Sequence, residues 1–515
     1  MTPGDPHPAD PHPAEGPDVS GECVAVLAVG RGTFDVPFAQ AKLAAALGAL
    51  EATGARIVGP GTLLMDGEAV GAALDALPSA DVTRTLLIQA TITDAAATVR
   101  IAERHGDRPF AIWAFPEPRE GGRLRLNAFC GLNLAAHALG LMDRTPGMLY
   151  AEPSPAIVPS LRELIAGHLA PPVPPVGPAE VDGVSPAAAR ALNAIHGARI
   201  GRLGAHPDGF DTCAYDERRL DALARVSVEA IELPEVFAAA GAASASAVAL
   251  ARTTAEADCG DLSAMDAGEL DRSLRLHAAL RSLKARGNYD AFAVRCWPEC
   301  FTEHGGAMCA PVAMMGEART PCACEADVYG ALSSLLMQSL ADAPAFLVDL
   351  VDLDPADGTG VVWHCGQAPI SMAAGASGPT GTGASGPTGA GGARAAAGEP
   401  GEGTLPARAR PTVHTNRRMA LLYEFALRPG RVTLARISQA RGRHQMVIAT
   451  GEALERPSAF TGTSGVVRFD APIPTVRDAL LGGGVEHHTA LAYGDHAQSC
   501  REVAAELGIP VLAIT

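Results

Sequence analysis

The sequence predicts an α/β protein made of two doubly wound units followed by a β-rich, barrel-like unit. Three observations predict it. Strand-like apolar runs alternate with helix-like stretches at short spacing over residues 21–168, and again over 185–343. A Pro-rich connector, "APPVPPVGPAEVDGV" (170–184), separates these two units. Over 344–515 short strands follow one another with few helices between them, the pattern of an antiparallel sheet or barrel.

Residues 1–20 are rich in Pro, Asp and His and read as a disordered tail. "CVAVLAVG" (23–30) is a buried strand by composition, and "PFAQAKLAAALGALEATG" is a helix closed by a glycine. "ARIVG", "RTLLIQA" and "PFAIWAF" are further strands, with "GEAVGAALDALPS" and "DAAATVRIAERHG" as the helices between them. The second unit holds "ARIGRLGAHPDGF", "VSVEAIEL", a long helical stretch at 267–286, and "YDAFAVRCW". In the third, "AFLVDLVDLD", "GVVWHCG", "RVTLARISQ", "HQMVIATGE" and "GVVRFD" are strands, and a helix and strand close the chain. The Gly/Ala/Pro/Ser-rich segment 373–403, with "GASGPTG" twice, reads as a flexible insertion without chemistry.

Composition excludes several functions. The 515 residues carry a net charge of −17, spread along the chain, so nucleic acid and anionic membrane are not expected partners. Hydrophobic residues make up 48% and aromatics only 4%, so the cores should consist of small aliphatics. The N-terminus has no basic and apolar leader, and no apolar run reaches the roughly 20 residues of a membrane span. Eleven cysteines in such a chain read as reduced thiols of a cytoplasmic protein. Five of them cluster at Cys296, Cys300, Cys309, Cys322 and Cys324, but without the paired knuckles of structural zinc. "GRGTFD" (30–35) lacks the third glycine of a dinucleotide loop, although it can present Arg31 to a ligand.

The chemistry concentrates in oxygen and nitrogen donors. Val328, Leu332, Leu335, Leu336 and Leu340 form a helical stripe, which puts Glu325 at the N-terminal end of a helix. Asp349 is expected at the C-terminal end of the strand "AFLVD", and His364 at a strand end before a glycine. In "EHHTALAYGD" (486–495), strand alternation lets only one of His487 and His488 face a given pocket. Two carboxylates with two imidazoles suit Mn²⁺, and also Mg²⁺, Co²⁺ or Fe²⁺. A divalent ion on a carbonyl and its neighbouring hydroxyl acidifies the hydrogen between them, and a carboxylate can move that proton. Those are the requirements of aldose–ketose isomerisation through an enediol.

Several separated motifs carry a resemblance: "GRGTFDVPFA", "RCWPE" (295–299), "CEADVYGAL" (324–332), "FLVD" (346–349), "HCG" (364–366), "HHTALAYGD" (487–495) and "LGIPV". Together they resemble the L-fucose isomerase / L-arabinose isomerase superfamily, nearest its fucose isomerase-like branch. The resemblance implies two Rossmann-like domains and a C-terminal β-rich domain, a Mn²⁺-dependent enediol mechanism, and a homo-oligomer, trimer or hexamer. It implies that Glu325 and Asp349 are metal ligands and the proton-transfer pair. His488 matches a metal ligand of the fucose isomerase branch, and His364 a ligand of the arabinose isomerase branch. His487 is expected to face away or line the pocket rim. Arg31 resembles a substrate-contacting arginine that comes from a neighbouring subunit. Gln89, Trp297 and Glu299 are expected near the sugar. Two rival readings share these residues: a non-catalytic sugar-binding or regulatory protein, and an epimerase or isomerase acting on a modified, acidic sugar.

Overall fold

The computed structural model describes residues 16–514 apart from Ser79, Asp107 and 375–407. The expected insertion 373–403 therefore lies outside the described residues except for its first two, as does most of the expected N-terminal tail. The chain builds three sheets. The first is parallel, in the order Arg56–Val58, Cys23–Val29, Arg84–Gln89, Phe110–Ala114, Gly147–Tyr150, with Leu63–Leu64 added beside Cys23–Val29. The strand order reverses at Cys23–Val29. The loop after that strand begins with Gly30 and Arg31, and the Arg31 N–H donates to Thr91 Oγ1 (2.8 Å) across the reversal. Crevices at such switch points are where open α/β sheets receive ligands.

The second sheet is also parallel, in the order Cys322–Cys324, Ala291–Val294, Arg199–Leu203, Ser227–Ile231. Its carboxyl ends release the two segments that matter most. Trp297 follows Ala291–Val294, and Glu325 follows Cys322–Cys324. Cys324 is the register partner of Val294, so Cys296, two residues past that strand, lies close enough to Cys324 to pair with it as a disulfide, Cα–Cα 5.9 Å. This corrects the reading of all eleven cysteines as reduced thiols. Parallel pairing brings together residues 28 positions apart, which spacing alone does not reveal.

The third sheet has nine strands. Six of them close into a ring: Thr463–Phe469, Thr359–His364, Phe346–Asp354, His488–Tyr493, Gly430–Ser438, Gln445–Ala453, and back to Thr463–Phe469. The strand pairs in the ring are antiparallel, as the lack of intervening helices predicts. The apolar helix Ala128–Leu141 is buried almost all round, and Asn133 on it donates to the Val485 carbonyl (3.3 Å). That helix ties the first sheet to the third. The buried clusters are largely Ala, Val, Leu and Ile, in keeping with the small-aliphatic cores expected. No single helix among the described residues is long and apolar enough to cross a membrane.

Two local expectations need correction. Glu325 is not on a helix: the helix starts at Val328, and Asp327 caps it by accepting the Gly330 N–H (2.8 Å). A Cβ at Gly330 would stand 2.5 Å from Asp327 Oδ2, so the cap needs glycine there. Asp349 does not end its strand. Phe346–Asp354 runs on for five more residues, because Leu350, Val351 and Leu353 continue the buried run.

Candidate active site

The three sheets meet at one cleft, lined by Arg31 and Asn127 from the first, Trp297 and Glu325 from the second, and Asp349 and His364 from the third. Its floor holds Glu325, Asp349, His364 and His487, and His488 lies directly beneath. Glu325 and Ala326 both adopt left-handed backbone (φ 59° and 55°). Non-glycine residues reach this region at a cost of order 1–3 kcal/mol each, which the surrounding structure must sustain. Here the unusual turn swings the Glu325 carboxylate off the end of the parallel sheet and over the ring.

Strand register supplies the rest. Asp349 is the direct cross-strand partner of His488 on one side and of Trp363 on the other. Directly opposite residues present their side chains on the same face, and Asp349 Oδ1 lies 3.4 Å from His488 Nε2. His364 ends its strand with its ring stacked 5.6 Å from that of His488. His487 lines the cleft, one of the two placements expected of it. It precedes the strand, which begins at His488, so strand alternation does not govern it. Both imidazoles turn inward and stack at 3.9 Å. His487 Nε2 is 3.1 Å from Glu325 Oε2 and 4.0 Å from Asp349 Oδ1, so it does not face away.

The hydrogen bonds assign proton positions. Asp327 Oδ2 lies 3.0 Å from His488 Nδ1, which makes that nitrogen the donor and leaves the Nε2 lone pair facing Asp349. Asp327 in turn receives two bonds from the fully buried Arg436 (2.7 and 3.1 Å). An outer carboxylate that fixes a histidine's tautomer is the usual support of a metal-binding imidazole. His364 is built the opposite way. The Cys365 N–H donates to its Nδ1 (2.9 Å), so the neutral ring carries its proton on Nε2. Burial, followed by the charge of His488, holds its pKa well below the ordinary histidine value. His364 thus offers the cleft an N–H donor rather than a lone pair.

The two carboxylates differ sharply. Burial pushes Glu325 up, but the hydrogen bond from His487, the charges of both histidines and the Trp297 N–H (3.1 Å) outweigh it and hold Glu325 at about 2. Burial raises Asp349 to about 7, with the His488 charge opposing and the Glu325 charge adding to it. Burial keeps the Cys213 thiol, 4.0 Å from Glu325, protonated and therefore a neutral neighbour. Asp349 Oδ1 and His488 Nε2 are buried without a hydrogen-bond partner among the described residues. Buried polar atoms are rarely left so, and His488 joins two donor groups, one with Asp349 and His364 and one with Glu325, His487 and Cys213, the atoms of each group lying within 4.8 Å of one another. A carboxylate–carboxylate–imidazole set with unspent donors fits a divalent cation.

The remaining expected site residues divide. Arg31 lines the cleft of its own chain and ion-pairs with Asp94 (2.9 Å). Trp297 forms a wall, its N–H on Glu325 and its ring edge-on to Phe210 (5.5 Å). Gln89 is not brought to the cleft. It is buried against Gly131, and its amide donates to the Thr91 carbonyl (2.7 Å) and Thr93 Oγ1 (2.9 Å). Glu299 is also outside, paired with Arg295 four residues before it (2.7 Å). Sequence reading missed Asp327 and Arg436, which set His488, and Asn127, whose Oδ1 is buried, unpartnered and at the cleft. Asp327 stood two residues from Glu325. Arg436 was signalled by a charge at a buried position between Ala435 and Ile437.

Comparison with known proteins agrees with this geometry. Residues 422–515 match the model of the L-fucose isomerase C-terminal domain. A sulfoquinovose isomerase of Alkalicoccus urumqiensis is 29% identical over 407 residues, covering 79% of this chain and 80% of the relative. A sulfoquinovose isomerase of Clostridium sp. (strain MSTE9) is 28% identical over 478 residues, 92% of this chain and 94% of the relative. One of Priestia aryabhattai is 25% identical over 493 residues, 94% and 98%. With the motif order of its cleft, these matches support the L-fucose isomerase / L-arabinose isomerase superfamily, on the fucose isomerase-like side.

Proposed function

We propose that the protein is a metal-dependent aldose–ketose isomerase, and that its substrate is a sulfonated aldose of the sulfoquinovose type. One observation carries the reaction. Asp349 and His488 converge beside Glu325 with unspent donor atoms, and Asp327, held by Arg436, fixes His488 in the ligating tautomer. A receptor needs no such set, which sets aside the sugar-binding rival. The relatives' names support the sulfonated substrate.

In this reading Glu325, Asp349 and His488 hold a divalent cation, most simply Mn²⁺. The cation, when bound, polarises the sugar's C1 carbonyl and C2 hydroxyl and so acidifies the C2 hydrogen. The chain supplies the rest. One carboxylate of the pair removes the C2 proton while O1 takes up a proton, giving an enediol. A proton returns to C1 and the O2 hydroxyl proton is lost, leaving the ketose. His364 Nε2–H donates to a sugar oxygen, and Trp297 with Phe210 closes one side of the cleft against water. His487 holds Glu325 in place through its Nε2 (3.1 Å).

The carboxylate asymmetry sets a pH dependence. Below about 7 Asp349 keeps a proton that a cation must displace. Mn²⁺ affinity should therefore rise about tenfold per pH unit up to neutrality and level off above it, as calorimetric titration in several buffers would show. For the cation-free protein the sign is as follows. The folded Asp349 pKa is raised, so its contribution is complete below about 4 and is lost as pH rises through about 7. Glu325, lowered to about 2, stabilises in the opposite sense and loses its contribution below about pH 4. The test of function is ketose formation from a panel of aldoses after chelation, with and without added Mn²⁺. Mn²⁺-restored conversion of a sulfonated aldose is the expected result. Metal binding with epimer formation instead of ketose would favour the epimerase reading.

A further inference from the structure

Resting on the isomerase reading, we propose that Arg417, backed by Arg31, is the subsite for the anionic end of the sugar. Arg417 lines the same cleft, on the loop 413–419 before the strand Leu422–Ala426. Trp297 links it to the reacting end. The indole N–H bonds Glu325, while its ring lies 5.2 Å from the Arg31 guanidinium and 6.0 Å from that of Arg417. Arg31 already has a carboxylate, Asp94 at 2.9 Å. Arg417 has none among the described residues, although its guanidinium is half-buried and also lies 6.0 Å from the Phe301 ring.

The neighbours do not neutralise it. His414 accepts the backbone N–H groups of Asn416 and Arg417, and burial followed by the Arg417 charge holds it neutral, at about 4. Asn416 spends its carbonyl on Arg123, another cation (2.8 Å). Burial, then the charge of Arg31, makes the charged form of Arg417 less comfortable than in water. A buried cation beside another cation is costly unless an anion joins them. The cleft is therefore polarised, with carboxylates and imidazoles at the reacting end and an unspent guanidinium beyond Trp297. A neutral sugar has no use for the second end. A terminal oxyanion, sulfonate or phosphate, accepts two or three N–H bonds from such a fork.

The experiment compares Arg417→Met, Arg417→Lys and the exposed neighbour Arg418→Met. Each is assayed on a 6-sulfo aldose, the 6-phospho aldose and the 6-hydroxy aldose, with ethanesulfonate binding measured by calorimetry. Arg417→Met should lower the preference for the sulfo sugar over the hydroxy sugar by roughly 10- to 100-fold, mainly through KM. Arg417→Lys should restore part of it, and Arg418→Met should leave the preference unchanged. Equal losses on charged and neutral sugars, or no change on the sulfo sugar, would overturn the subsite. A wild type that prefers the phospho sugar keeps the subsite and overturns the sulfonate. If no aldose is turned over, the isomerase reading fails on its own, and ethanesulfonate binding lost in Arg417→Met still decides for Arg417.

Discussion

Replacing Glu325 by Gln should abolish isomerisation, lowering kcat by about 10³-fold or more, with the fold intact. The change keeps the shape of the side chain and its ability to accept the Trp297 N–H. It removes the negative charge of a carboxylate whose pKa the two histidines hold at about 2 against the pull of burial. Without that charge the site loses an anionic ligand and one member of the proton-transfer pair together. General acid–base groups alone contribute about 10²–10⁴-fold, so a loss near the upper end is expected when metal binding falls as well. Steady-state kinetics with saturating Mn²⁺, beside circular dichroism, makes the check. Activity within tenfold of wild type would remove Glu325 from the chemistry.

The second large effect is expected away from the sugar. Asp327→Asn should weaken Mn²⁺ binding by about 10- to 100-fold, the usual effect of losing a partner that orients a ligating histidine. It should also destabilise the protein. Arg436 and Asp327 are both essentially unexposed and share two hydrogen bonds. Breaking a buried pair from one side costs about 3–5 kcal/mol because the remaining charge is stranded. Here the figure should fall near the lower end, since Glu486 Oε2 stays 3.4 Å from Arg436 Nε. The double change Asp327→Asn with Arg436→Met should recover much of the stability but not the metal affinity. Denaturant midpoints read the first quantity and Mn²⁺ titration the second. Loss of stability without loss of metal affinity would mean that Asp327 supports the fold and not His488.

Local pattern made most of the architecture legible. Period-2 and period-3.6 hydrophobicity, glycine stops and a Pro-rich connector report on nearby residues, and the alternating and β-rich segments appear as read. Where motif and strand coincide, at Asp349, His364 and His488, the residues singled out by sequence do lie together. The site was less legible where the backbone departs from regular structure. Glu325 sits in a left-handed turn instead of a helix, and His487 lies one residue outside its strand. Neither position obeys the periodicity used to place it. Gln89 and Glu299 were near the site in chain order, but their hydrogen bonds are spent locally. Asp327, Arg436 and Arg417 are defined by partners 109 positions away, or by lacking one. Such long-range pairing has no short-range signature.

The most direct test is isomerisation in D₂O, followed by NMR of the ketose over many turnovers with the Mn²⁺-loaded protein. If a carboxylate of the Glu325–Asp349 pair carries the proton between C2 and C1, the product should acquire deuterium at C1, and chelation should stop both conversion and labelling. A ketose that keeps its hydrogen through repeated turnovers, or conversion that persists unchanged after chelation, would contradict proton transfer by this pair at a metal-holding site.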